Sequence, residues 1–211
     1  MNNFEIKNQN GRSMIEMLGV LAIIGVLSVG GIAGYSKAMT KYRINKTIEQ
    51  ITLIAGNVRA FFAPQGNYDG LNPLVDTGKA IIKKAKLVPD EMWDGNNIKN
   101  VWGNSVSLDS ASKSSFGDKK AFKIQYLMPT EYDICIEILS YDWTNAGVKF
   151  IILSGPSSVK NAKAPFSLEQ AIDFCTKWLS SPANKTMEAI PSQFYFDVND
   201  NCIHGEGTGC N

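Results

Sequence analysis

The sequence predicts an α+β fold: one long N-terminal α-helix, apolar all round in its first half and amphipathic in its second, packed on an antiparallel β-sheet. Three observations predict it. Met14 to Tyr35 is an apolar run carrying one charge, Glu16. No proline occurs before Pro64, and apolar residues recur at steps of three and four beyond the run. The remainder of the chain holds three segments of strand composition.

The apolar run supplies the ~20 residues that a bilayer core requires. A carboxylate there costs roughly 2.5–3.5 kcal/mol even on a lenient insertion scale, so Glu16 calls for a function and a partner. From Ser36 to Phe62 the apolar positions are Met39, Tyr42, Ile44, Ile48, Ile51, Ile54 or Ala55, Val58 and Phe61 or Phe62. Together they form one stripe. Lys41, Arg43, Lys46, Glu49, Gln50 and Arg59 fall mostly off it. The helix is therefore expected from Ser13 to Ala63, on the order of 75 Å long. Such a stripe has to pack against the rest of the chain. Gly30, Gly31 and Gly34 weaken the middle of the helix by about 1 kcal/mol each relative to alanine. They fit either local unwinding or close packing between helices.

After Pro64 come turn formers, QGNYDGLNPLVDTG, and a short helix over Ala80 to Lys86. Trp93 and Trp102 flank a turn-rich piece, and Ser105 to Ser107 begins the sheet. SASKSSFGDKK reads as an exposed hairpin loop. The strand segments are Ala121 to Tyr126, Lys149 to Leu153 and Gln193 to Val198, all rich in Ile, Phe and Tyr. Thr130 to Tyr141 fits a helix or a strand. KNAKAPFS reads as a boundary that opens a helix from Ser167 to Leu179, with Ser167 as N-cap and Gln170 as capping-box partner.

The net charge of +1 gives no electrostatic case for nucleic acid as a main partner. No catalytic constellation is present: His204 is the only histidine, and no nucleophile elbow, phosphate loop or zinc helix occurs. The chain is read as no enzyme, without cofactor. Asp197, Asn199, Asp200 and Asn201 echo the start of a calcium loop. Cys202 stands where a glycine is needed, and no closing glutamate follows, so a plain polar turn is the better reading and no metal is expected. The sequons at Asn45 and Asn184 are ascribed to chance. Cys135, Cys175, Cys202 and Cys210 have no zinc spacing. In an exported chain their even number reads as two disulfides.

Upstream of the apolar run stands a polar leader, MNNFEIKNQNG, ending in Gly11. Gly11, Glu16 and the helix that follows resemble the signature of type IV prepilins. A secretory signal would have a basic start, a shorter apolar core and a small-x-small site after it. Lys37, Lys41, Arg43 and Lys46 follow the span and only Lys7 and Arg12 precede it, which alone favours the opposite orientation. The leader and Glu16 are the more specific signals.

The resemblance implies cleavage by a prepilin peptidase between Gly11 and Arg12. It also implies methylation of the new N-terminus, where the family usually carries a large apolar residue. Glu16 would serve subunit assembly. The organisation it implies is a leader over 1–11, a helix over 12–63 with 14–35 as transmembrane and filament core, and a globular head over 64–211. Cys135 to Trp143, with the residues up to Lys149, is similar to the longer-headed kind of type IV pilin. There a cysteine before the last strands pairs with one nearer the C-terminus.

The expected pairs are Cys135–Cys175, in elements that should pack side by side, and Cys202–Cys210 across a glycine-rich loop. The rival joins Cys135 to Cys202 or Cys210. The implied partners are other pilin subunits in a homo-oligomeric filament, the inner membrane and the pilus assembly machinery. The implied location is the inner membrane before assembly and an extracellular pilus afterwards, serving adhesion, motility or DNA uptake. A pseudopilin of a type II secretion system is the alternative, and a membrane-anchored periplasmic protein a third.

Overall fold

The structure is a computed structural model that describes residues 14–72, 76–111, 119–155 and 160–198. In chain order the elements begin with α1 (Met14–Phe62) and α2 (Asp76–Lys84). Next come β1 (Trp93–Asp94), β2 (Asn97–Ile98), β3 (Val106–Ser110), β4 (Phe122–Met128) and α3 (Tyr132–Leu139). The remainder is β5 (Val148–Leu153), β6 (Lys160–Lys163), α4 (Leu168–Ser180) and β7 (Ile190–Phe196). The chain divides into two compact units, Met1–Tyr42 and Arg43–Asn211.

The described part of the first unit is helix throughout, and every residue from Met14 to Ala38 is exposed. In the second unit α1 ends at Phe62. Pro64 sits in a 3-10 turn, Ala63–Gln65, closed by Gly66 in the left-handed region.

The sheet has five antiparallel strands in the order β3-β4-β7-β5-β6. The last strand in sequence is its centre, with Phe122 opposite Phe196 on one side and Ile151 opposite Phe194 on the other. Strict alternation along β4 buries Phe122, Ile124, Tyr126 and Met128. These join Ile44, Ile51, Ile54, Ala55, Val58 and Phe62 of α1 in one core. A smaller cluster, including Phe150, Ile152 and Tyr195, lies apart from that core.

Several expectations are corrected. Tyr42 points outward, 57% exposed, and of the Phe61 and Phe62 alternatives it is Phe62 that is buried, 2% exposed; polar Thr47 and Gln50 occupy the stripe. The reason is hydrogen bonding: Tyr126 donates from its hydroxyl to Gln50 Oε1 at 2.7 Å, and Trp102 Nε1 donates to Thr47 Oγ1 at 2.8 Å. Thr130 to Tyr141 resolves as helix α3, which buries Ile134, Cys135, Ile138 and Leu139 at helical spacing. The KNAK read as a boundary is strand β6, paired with β5 from Phe150–Lys163 to Leu153–Lys160. The turn-rich piece after Trp93 contains the β1–β2 hairpin.

The final strand begins at Ile190, through Pro191. Its ladder to β5 stops at Ser192, so the N–H that proline lacks is not needed on that side. The hairpin loop around residues 112–118 lies outside the described residues.

Candidate functional site

The first unit presents one chemical feature. Its large apolar side chains are open to the surroundings: Met14 is 85% exposed and Val26 75%. Length and composition suffice to cross a membrane. Within this surface Glu16 has no ion-pair or hydrogen-bond partner among the described residues. A Cβ added at Gly19, Gly25, Gly30, Gly31 or Gly34 would meet nothing within 4 Å, so no contact inside the chain requires glycine there. The helix is unbroken through Gly34.

In the second unit Cys135 and Cys175 form a disulfide that ties α3 to α4, with Cα atoms 6.0 Å apart. Both sulfurs lie on buried helix faces. Tyr132 and Thr176 share a hydrogen bond of 3.0 Å across the same pair of helices. Ser167 accepts from Gln170 N–H, and Gln170 Oε1 accepts from Ser167 N–H, closing the capping box that starts α4. Gly11, Arg12, Cys202, Cys210 and His204 lie outside the described residues.

No sequence signal marks Arg59, which gathers residues distant in the chain. Its guanidinium donates to Asp197 through Nε and Nη2, and to the carbonyls of Ala146 and Gly147 at 2.9 and 3.0 Å. It also lies 5.3 Å from the Phe196 ring centroid, a cation–π distance. Tyr68 donates to Asp197 Oδ2 at 2.5 Å. Burial, and then that hydrogen bond to a carboxylate, push the Tyr68 phenol well above its ordinary range. Gly147 has φ +78°, and a Cβ there would fall 2.2 Å from Arg59 Nη2. Asp197, the first residue of the calcium-like run, thus has its carboxylate occupied. Asn199, Asp200 and Asn201 lie outside the described residues. Among the described residues no group of acidic, histidine or cysteine side chains is arranged to hold a metal. Asn184 of the second sequon is 1% exposed; its Nδ2 donates to Trp178 O, while its Oδ1 is buried without a hydrogen-bond partner among the described residues.

A cleft of about 430 Å³ separates α2 from the sheet edge, lined by Lys79, Trp93, Asn97, Val106, Asp109 and Lys123. Burial raises the Asp109 carboxyl and outweighs the opposing pull of Lys123.

The family model named bundlin matches residues 36–194. That range is most of the chain, taking in all of β1–β6 and both disulfide-linked helices. This chain belongs to the bundlin family of type IV pilins. No curated protein matches it significantly. The match begins at Ser36, after the apolar run. The family assignment therefore rests on residues other than Gly11 and Glu16, and the two signals are independent. The family supports a pilin-type subunit.

Proposed function

We propose that this bundlin-family chain is the structural subunit of a type IV pilus. It is cut by a prepilin peptidase between Gly11 and Arg12, held in the inner membrane by Met14 to Tyr35, and moved into an extracellular filament. The observation that carries the reading is the fully exposed apolar helix with Glu16 as its one charge, on a chain whose remainder matches a pilin family. Apolar surface of that extent has two stable surroundings, lipid and the interior of a helix bundle. In lipid the helix satisfies its own backbone hydrogen bonds. In the filament core, Glu16 neutralises the α-amino group of a neighbouring subunit at Arg12, which offsets the cost of burying either charge alone. The stagger between subunits is then set by the four-residue spacing of amine and carboxylate.

The test is deletion of the chain together with an intact mass of the mature protein. Loss of surface fibres with type II secretion unchanged, and a mass starting at Arg12, are the expected results. Intact fibres with failed secretion would favour the pseudopilin. A mature N-terminus near Ala33 would overturn the pilin processing.

A further inference from the structure

The described helices cover one face of the sheet. Phe194, Phe196 and Ile151 share a core with α1, α3 and α4 on that side. The other face has a cluster of its own: Ala111, Ala121, Phe150, Ile152, Tyr195 and Val198. Phe150 and Tyr195 are register partners on β5 and β7, and their rings stack at 4.5 Å. Among the described residues no helix contributes to this cluster, yet Phe150 is 4% exposed and Tyr195 6%. Their next neighbours along the row, Lys123 on β4 and Lys163 on β6, lie beside the stack in the sheet, not above it.

The way the chain leaves β7 points to the cover. Strand alternation sets Phe194 and Phe196 on one face and Tyr195 on the other, so Val198 should follow Phe196 into the main core. It lies instead in the Tyr195 cluster, 3% exposed. The change of face occurs at Asp197, whose φ of +55° is left-handed, a region that residues other than glycine seldom enter. Arg59 and Tyr68 hold the Asp197 carboxylate at that turn.

We propose that the segment 199–211 lies across Phe150, Ile152 and Tyr195 as the cover of this face, aimed there by the Asp197 turn. The segment follows directly on Val198. At ~3.3 Å per residue it reaches β5 easily, one strand spacing of ~4.8 Å from β7. Ile203 supplies an apolar side chain, and Gly205, Gly207 and Gly209 have no side chain to hold the backbone off the rings. The internal segments 112–118 and 156–159 are tied elsewhere. The first returns at Lys119, whose carbonyl accepts from Tyr68 N–H and whose ammonium meets Asp69, while Tyr68 packs on the main core. The second joins Leu153 to Lys160, at the end of β5 away from Val148. Arg59, to which the pilus reading gives no task, becomes a positioning residue for this cover. The cover itself does not depend on the pilus reading.

The experiment uses the full chain, light and heavy isotope forms mixed, with a benzophenone-bearing phenylalanine in place of Ile203. Irradiation and trypsin should yield links to the peptide Phe150 to Lys160, within one label. Links only to other peptides, or mixed-label links to this one, would overturn the proposal. A second measurement leaves the segment free of the probe. Tyr195 should resist nitration by tetranitromethane while Tyr141, 38% exposed, reacts. In Ile203→Asp, nitration of Tyr195 should be about tenfold faster, as loss of one buried apolar side chain implies, with Tyr141 unchanged. Equal rates in a variant that still forms the Cys135–Cys175 bridge count against the cover. Asp197→Val, which disfavours the left-handed turn, should lose the benzophenone link, and Asp197→Asn, which tolerates it, should keep the link. A link of wild-type yield in Asp197→Val, or its loss in Asp197→Asn, would remove the turn from the mechanism.

Discussion

Arg59 is the residue on which three segments far apart in the chain converge, and its effect follows from what its removal would strand. Arg59→Ala leaves the Ala146 and Gly147 carbonyls without a donor and Asp197 without its cation. The guanidinium is about one-third exposed, so water replaces part of the loss. A destabilisation of about 2 kcal/mol is expected in chemical unfolding of the protein, with Arg59→Lys recovering only part because one ammonium cannot span both carbonyls and the carboxylate. A full-stability Arg59→Ala would mean the cluster is ornamental. Nothing in the sequence pointed there, because Arg59 and Asp197 are partners only through the fold. Tyrosines govern the alkaline limit. Burial raises Tyr195 to about 12, and burial raises Tyr68 and Tyr126 as well. A phenol whose folded pKa lies above its unfolded value of about 10 keeps its proton longer when folded. Its stabilising effect is complete below pH 10 and is lost as pH rises toward 12. The melting temperature should therefore fall through that window, and Tyr195→Phe should fall less steeply than the wild type.

At the scale of elements, what was legible depended on whether the cause is local. The Ser167–Gln170 box is a local device, and the structure contains both of its bonds. Ser167→Ala should destabilise α4 and the second unit by about 1 kcal/mol, read as a shift in denaturant midpoint without a change in slope. β4 was legible because Phe122, Ile124 and Tyr126 alternate with polar residues on a pleated, half-buried surface, and β5 because Phe150 to Leu153 is a short continuous apolar run, buried throughout. β6 was not: KNAK has no β-branched or aromatic residue, and its extended state comes from pairing with β5. α3 read both ways because Ile134, Ile136 and Ile138 alternate, while the buried set that decides it, Ile134, Cys135, Ile138 and Leu139, follows the helical period. Gln50 was assigned off the apolar stripe because its partner, Tyr126, lies 76 positions away. The α3–α4 bridge closes a loop of 40 residues, for which the chain-entropy model gives roughly 3–4 kcal/mol. Replacing Cys135 and Cys175 together by serine should remove about that much and expose α4 to protease. An unchanged unfolding midpoint would show that the bridge contributes nothing to the isolated subunit.

For the whole molecule the residue we propose for assembly is also the most legible one, since Glu16 declares itself by chemistry: a lone carboxylate in an apolar helix. Its cost is the handle for a test. Removing the charge in Glu16→Ala takes away a penalty of roughly 2.5–3.5 kcal/mol for membrane insertion, so the variant should enter the membrane at least as well as the wild type. In the filament the sign reverses. The neighbour's α-amino group would then be buried without its counter-charge, and stranding one member of a buried pair is strongly unfavourable. Arg12 adds a second positive charge to the same terminus, which deepens that penalty. Fibre yield from Glu16→Ala should fall at least tenfold or so while the amount of membrane-held, processed subunit stays level. Glu16→Gln keeps the size and a hydrogen-bonding oxygen but not the charge. If the pairing is electrostatic it should fail as alanine does, and if a polar contact suffices it should assemble. Normal fibres from Glu16→Ala would remove the carboxylate from assembly altogether, and the exposed apolar helix would then have to find its stagger by packing alone.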